Sequence, residues 1–365
     1  MKDSDKLFIW LSMSEMPTKK LTDFLSEFND PIQLLSLNEY STHVMQHFTG
    51  EEFQSLVKLR DSKRFESLCN MLETGSIKFV TILDADYPAC FKNLEVAPLI
   101  IYYVGDFSLL SRQSVAIVGT RNCTRYGAEL TEKFAKEISQ AGLCVVSGLA
   151  DGIDYHAHVG TLEGHGKAIA VLAGGLNYIY PAGNVELARK IIAAGGLIIS
   201  EQAPDVKPQS FTFIQRNRLI AAASEGVLVT EAGSKSGALH TVNFALDLGK
   251  DIFAVPGNVT SKSSEGTNKL IGQFYTTCTT SSKDVIGVLF PNYDLDLNKT
   301  KVDSSFSLND EEKLVLDTLK NCELHLDDIQ EKTKINLKSL TGLLTMLEIR
   351  GLIKRLPSNY YKVVN

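Results

Sequence analysis

Between residues 114 and about 290 the chain repeats one pattern that few folds accommodate: a short unbroken apolar run, a loop rich in glycine and serine, and then a helix-like stretch. The runs are SVAIVG, LCVVSG, KAIAVLAGG, GLIISE, EGVLVTE and DIFAVPG, with FYTTCT as a more polar member of the series. A strand with one wet face alternates apolar and polar residues, whereas an unbroken run needs cover on both faces. Parallel strands joined by crossover helices supply that cover. The segment therefore predicts an α/β domain with a doubly wound, mostly parallel, Rossmann-like sheet. Two extended runs, IKFVTILD (77–84) and PLIIYYVGD (98–106), lead into it.

The ends of the chain have a different texture. In residues 1–75, PTKKLTDFLSEFNDPIQLLSL sets Leu21, Phe24, Leu25 and Phe28 on one helical face and restarts a helix at Pro31, which predicts a small all-helical domain. The domain bounds expected are 1–75 for this unit, 76–290 for the α/β segment, 291–306 for a polar linker and 307–365 for a final unit. That last unit reads helix, helix, helix, hairpin, the order of a winged helix. Its charge is lopsided: residues 307–331 hold eight acids against Lys313 and Lys320, while 332–365 hold seven bases against Glu348 alone. Its third helix and wing suit either a phosphate backbone or a protein partner.

Charge limits the partners. With a net charge of −6 and a pI near 5.7, the chain is not coated in phosphate-binding charge, so nucleic acid would have to bind at one defined place. The longest apolar run near the start, LFIWL (7–11), is far short of the ~20 residues of a membrane span and lacks the flanks of a signal peptide. A cytoplasmic protein with no membrane partner is expected. The six cysteines form no CxxC and read as reduced packing residues.

In an open parallel sheet, ligands bind outside the carboxyl ends of the strands, so chemistry is sought in the strand-to-helix loops. These carry Gly119-Thr120-Arg121 with Arg125, Ser147-Gly148, Gly174-Gly175, the segment Phe211 to Arg218, and Ser234-Lys235-Ser236-Gly237. Glycine and serine before a helix leave backbone N–H groups for phosphate oxygens, and the helix dipole favours the anion. Arg121, Arg125, Arg216 and Arg218 would add charge-assisted contacts, with Lys235 and Lys262 as weaker ones. Asn217 lies between the paired arginines. Two residues apart on a helix, Arg216 and Arg218 point about 200° apart, so one is expected to anchor on a carboxylate, Glu201 or Glu231, and the other to face the groove. Phe211 and Phe213, with Tyr126, Tyr155 and Tyr180, stand among these arginines as aromatics do where single strands are held without sequence readout; packing beneath the loops is the alternative for each.

Several chemistries are excluded. His156 and His158 sit at i and i+2, on different helical faces, with no third ligand at spacing, so no metal is expected. The Ser234–Gly237 loop lacks a Gly-Lys-Ser/Thr ending, which argues against nucleoside triphosphate hydrolysis. A dinucleotide oxidoreductase wants an acid at the end of the second strand, and this chain has Ser147-Gly148 there. Asp154 reads as a helix N-cap rather than a catalytic carboxylate.

Taken in order, VAIVGTR, SGLADGIDYHAH, GGLNYIYPAGN, SEQAP, FIQRNRLIAAAS, TEAGSKSGALHT and AVPGNVTSKSSEGTNKLI resemble the DprA/Smf family, as does the leading DADYPACFKNLEVAPLIIYYVGD. The resemblance spans the α/β segment nearly end to end. It implies a SAM-like N-terminal helical domain and a homodimer, without enzymatic activity or cofactor, that binds and protects incoming single-stranded DNA. It also implies help in loading RecA for homologous recombination during natural transformation in competent cells. It assigns a DNA contact to Arg121 and an aromatic contact to Phe213, with Phe211 in reserve. Thr120 replaces the family's usual serine, and Ala182 stands where a basic residue often follows Tyr-Pro. The enzyme alternative is a nucleotide hydrolase of the lysine-decarboxylase-like group, whose loop needs a carboxylate where TEAGSKSGALHT has His240.

Overall fold

In the computed structural model, residues 1–14, 16–28, 30–36, 46–291, 310–320, 323–349, 352–356 and 359–363 are described. Residues 1–297 form one compact unit and 298–365 a second, and each is taken by itself. Glu15 and Asn29, residues 37–45 and most of the polar linker lie outside the described residues.

The first unit begins with α1 (Asp3–Ser12), whose Leu7, Phe8, Ile9, Trp10 and Leu11 are all buried. Five consecutive buried apolar residues cover every face of its second half, which therefore lies inside the packed helices, while Asp3, Ser4, Asp5 and Lys6 stay at the surface end. The Trp10 indole N–H donates to the Leu56 carbonyl at 2.7 Å, so the ring is buried without an unmet donor. On α2 (Thr18–Ser26), Leu21, Phe24 and Leu25 form the buried face read from the sequence. Phe28 lies past the helix end, edge-to-face with Phe24 at 5.0 Å. A helix does restart at Pro31, in the 3-10 form, over Pro31–Ser36. A capping box opens α3 (Gly50–Arg60): Thr49 Oγ1 accepts the Glu52 N–H, and the Glu52 carboxylate accepts the Thr49 N–H. Ser62 caps α4 (Lys63–Thr74).

The chain then enters the sheet through β1 (Lys78–Thr81), the single turn α5 (Ala89–Lys92) and β2 (Ile100–Gly105). The α/β alternation follows as β3 (Ser114–Val118), α6 (Arg125–Gln140), β4 (Cys144–Ser147), α7 (Ile153–Glu163), β5 (Ala168–Val171), α8 (Val185–Ala193) and β6 (Leu197–Ser200). It continues through α9 (Ser210–Ala222), β7 (Gly226–Val229), α10 (Ala238–Asp247), β8 (Asp251–Ala254), α11 (Glu265–Ile271), β9 (Thr276–Cys278) and α12 (Ser282–Leu289).

The strands pair in the order β1-β2-β6-β5-β4-β3-β7-β8-β9. All neighbours from β6 to β9 are parallel, while β1 and β2 join one edge antiparallel. Every residue of β3 to β7 is buried, as the unbroken apolar runs require. The pleat sends Ala116 and Val118 into one core and Val115 and Ile117 into the other. On the antiparallel side the N-terminal helices share a core with Leu99, Ile100, Tyr102 and Ala203, and the Ser12 and Tyr102 hydroxyls meet at 2.7 Å. From β3 the chain winds outward to β6, then crosses back through α9 to place β7 on the other side of β3. That reversal is the topological switch point, where a crevice opens at the carboxyl ends of the strands.

The second unit is a winged helix: α13 (Asp310–Leu319), β10 (Leu324–His325), α14 (Leu326–Thr333), α15 (Leu337–Ile349), β11 (Ile353–Leu356) and β12 (Tyr360–Val363). Val315, Leu319, Ile329, Leu340, Leu344, Leu347, Ile353 and Tyr361 make its core. The two-residue β10 pairs with β12 and adds a third strand to the expected hairpin.

Candidate nucleic-acid interface

A recess of about 540 Å³ opens at the switch point. Its walls are the Val118–Arg121 loop, Asp154 of α7, the side of α9 bearing Phe213, Arg216 and Asn217, and the start of α10 with Ser236 and Gly237; Tyr180 closes one side.

The loop after β3 is held from beneath by Glu231, which is 2% exposed. The Glu231 carboxylate accepts from the Thr124 N–H at 2.7 Å and the Thr124 hydroxyl at 2.9 Å. Its carbonyl accepts the Thr120 N–H at 2.8 Å. Thr124 in turn caps α6 by accepting the Gly127 N–H at 3.1 Å. So fastened, the loop presents Arg121 outward, with its guanidinium 4.6 Å from the centre of the Phe213 ring, within cation–π range. Phe213 meets Tyr180 edge-to-face at 5.7 Å. A cation and two aromatic faces therefore form one strip along the mouth of the recess.

The floor carries a second positive charge. Arg216 is 5% exposed, and its Nη1 donates to the carbonyls of Gly148, at 2.6 Å, and Val171. Its Nε donates to Asn217 Oδ1 at 3.2 Å. Gly148 has no alternative here, because a Cβ would stand 2.5 Å from the guanidinium. Burial lowers the Arg216 pKa to about 10, against the opposing pull of Asp154, so the group stays charged at neutral pH. The Asp154 carboxylate is itself buried, accepts the Gly148 N–H at 3.1 Å, and has its pKa raised by burial and lowered by Arg216. It sits in the first turn of α7 behind Gly152, which holds the N-cap position assigned to Asp154 from the sequence. Arg218 makes the buried pair, with Glu201, while Glu231 serves the Thr124 loop.

The recess gathers Gly119, Thr120, Arg121, Phe213, Arg216, Asn217, Ser236 and Gly237, and leaves out the rest of the expected set. Thr120 lines it, but its N–H is already used by Glu231. The Ser147 hydroxyl is buried and donates to the Ile117 carbonyl at 2.7 Å, so it serves the sheet. Gly148 offers Arg216 its carbonyl rather than offering a phosphate its N–H. Arg125 is exposed on α6 in an ion pair with Glu129. Gly174 and Gly175 are packed against the 203–208 loop. Phe211 lines a different recess, between the N-terminal helices and the sheet, because one helical position in two cannot share a face with Phe213. Ser234 donates to Glu265, and Lys235 is exposed outside the recess. At the start of α10, Ser236 Oγ accepts the Ala238 N–H, and the carbonyls of Ser236 and Gly237 accept from Leu239 and His240. Those amides are committed locally, so anion attraction at this recess falls to Arg121 and Arg216. Tyr180, Ser210 and His240 also line it and were not singled out as site residues. Tyr180 was visible only as an aromatic near an arginine-bearing loop.

Among the described residues no group of His, Cys, Asp or Glu is arranged to hold a metal, and no helix is long and apolar enough to cross a membrane.

A family model described as DNA recombination-mediator protein A matches residues 78–289, and the DprA winged helix domain matches 299–359. The chain is 40% identical over 236 residues to DNA processing protein DprA of Bacillus subtilis, covering 63% of this chain and 79% of that one. With the Streptococcus pneumoniae protein of the same name the identity is 35% over 261 residues, covering 70% and 92%. The X-ray structure of the Streptococcus pneumoniae protein superposes with a TM-score of 0.67 at 30% identity, over 79% of this chain and 98% of that one. A structure of DNA processing protein A from Helicobacter pylori, concerned with that protein's single-stranded DNA binding mode, gives 0.53 at 32% identity over 59% and 97%.

Proposed function

The chain belongs to the DNA recombination-mediator protein A family, and from that premise we propose that it binds single-stranded DNA, without turnover, at the switch-point recess. The observation that carries this reading is the Arg121–Phe213–Tyr180 strip over the buried charge of Arg216. Arg121 takes a phosphate, the buried Arg216 adds positive charge beneath it, and the aromatics take base faces, a combination that tolerates any sequence. A duplex keeps its bases stacked inside and cannot use the aromatics.

Arg121→Ala is expected to lower both oligo-dT affinity and the steepness of its salt dependence, and Phe213→Ala to cost about 1–3 kcal/mol of binding. Fluorescence anisotropy over a salt series checks both, and wild-type behaviour by both variants would remove these residues from the site.

The rest of the role is part of the same proposal. The protein protects incoming strands in the cytoplasm of naturally transforming cells and passes them to RecA recombinase for homologous recombination. Purified RecA should associate with it in the presence of oligo-dT, and no association would end that part. Support for a homodimer comes from β9, whose outer edge pairs with no strand among the described residues and is led by the fully exposed Phe274 beside Tyr275. Phe274→Glu should turn a dimer into a monomer by light scattering; a dimer of unchanged strength would move the interface elsewhere. The hydrolase alternative has Asp154 as its sole carboxylate among the described residues lining the recess, and turnover of free nucleotides abolished by Asp154→Asn would favour it instead.

A further inference from the structure

A second recess, of about 380 Å³, adjoins the first and shares Tyr180, Ser210 and Phe213 with it. Its far side is Tyr178, with Lys207 Nζ 5.7 Å from the centre of the tyrosine ring. Two loops from different strands meet here. The Gly175 N–H donates to the Val206 carbonyl at 2.8 Å and the Asn177 N–H to the Pro204 carbonyl at 3.0 Å, which fixes Tyr178 against the segment bearing Lys207. The closeness depends on glycine: a Cβ on Gly175 would stand 2.1 Å from the Ala203 carbonyl oxygen.

The aromatic and cationic groups therefore continue beyond the first recess, from Arg121 over Phe213 to Tyr180, and on to Tyr178 and Lys207. Tyr178 and Tyr180 are 38% and 55% exposed, so their rings are open to a ligand rather than spent on the core. Lys207 is exposed and forms no ion pair among the described residues.

We infer that this second recess is a further nucleotide subsite for the same single strand: Tyr178 receives a base, Lys207 its phosphate, and the Phe213–Tyr180 pair divides it from the switch-point nucleotide. The inference rests on the single-strand reading above and extends it to the length of strand engaged. A point-charge lysine beside an aromatic face suits a backbone that passes over the surface without base-edge readout.

The test uses the full chain and oligo-dT of increasing length, up to about 16 nucleotides. Tyr178→Ala and Lys207→Gln should each weaken binding of the longer oligonucleotides by about tenfold while leaving the shortest bound ones unaffected. Tyr178→Phe should restore wild-type affinity, because the ring and not the hydroxyl does the stacking. Lys207→Gln should also reduce the salt slope by about 0.7, one phosphate contact on a single strand. Arg121→Ala should weaken every length. If the wild type binds and Arg121→Ala does not, yet both recess variants match the wild type at all lengths and salts, the second subsite is wrong and the first stands. If the wild type binds no single strand at any length, the function itself fails.

Discussion

Replacing Arg216 with methionine is expected to cost about 3–5 kcal/mol of folding stability, the usual result of removing one member of a buried charge pair. Arg216 answers three needs at once: two buried carbonyls, those of Gly148 and Val171, and the buried Asp154 carboxylate. Methionine fills much of the volume and meets none of them. Adding Asp154→Asn should recover part of the loss, because a neutral amide needs no compensating charge. Urea unfolding of the single and double variants measures both effects. Unchanged stability of Arg216→Met would mean that the buried guanidinium does not hold the ends of β4 and β5 together.

The second large effect is acid sensitivity carried by His158. The ring is fully buried and neither nitrogen has a hydrogen-bond partner among the described residues. Burial, reinforced by the Arg216 charge, pushes its pKa down to about 3 from the ordinary 6.5. Between those values the unfolded chain takes up a proton that the folded chain refuses. Stability from this group is therefore whole above pH 6.5 and falls as the pH drops toward 3, by up to about 1.4 kcal/mol per pH unit. Asp154 acts in the opposite sense, since burial raises its pKa and lets the folded chain hold a proton that the unfolded chain has released. His158→Leu removes the first slope and leaves the second, so the variant should gain on the wild type steadily as the solution is acidified. Parallel stability curves for the two proteins would show that His158 is not the group titrating.

The fold was legible because burial leaves a mark on composition. Strands covered on both faces carry a continuous apolar run rather than an alternating one, and VAIV, LCVV and VLV in SVAIVG, LCVVSG and EGVLVTE are such runs, which announced the parallel sheet and hence the end at which a ligand binds. The 3-10 turn at Pro31 and the two-residue β10 were not legible, since proline opens either kind of helix and two residues carry no period. Within the site, the order of the loops brought four arginines and several aromatics to one edge, and the choice of Arg121 and Phe213 among them came from the family resemblance. The fate of the serines and glycines did not follow from either: a glycine before a helix is the same letter whether it frees an amide, admits a guanidinium as Gly148 does, or lets two loops touch as Gly175 does. Which carboxylate took which arginine was equally hidden, because Glu201 and Glu231 each end a strand and only the crossover through α9 brings Arg218 to the first of them.

On this reading one edge of an acidic protein holds single-stranded DNA through Arg121, the buried charge of Arg216 and a strip of aromatic faces. Competition between oligo-dT and a duplex of equal length, measured by anisotropy across a salt series, decides the matter. Much tighter binding of the single strand, with the logarithm of affinity falling linearly as the logarithm of salt concentration rises, is the expected result. Equal affinity for the two forms, or affinity indifferent to salt, would contradict it.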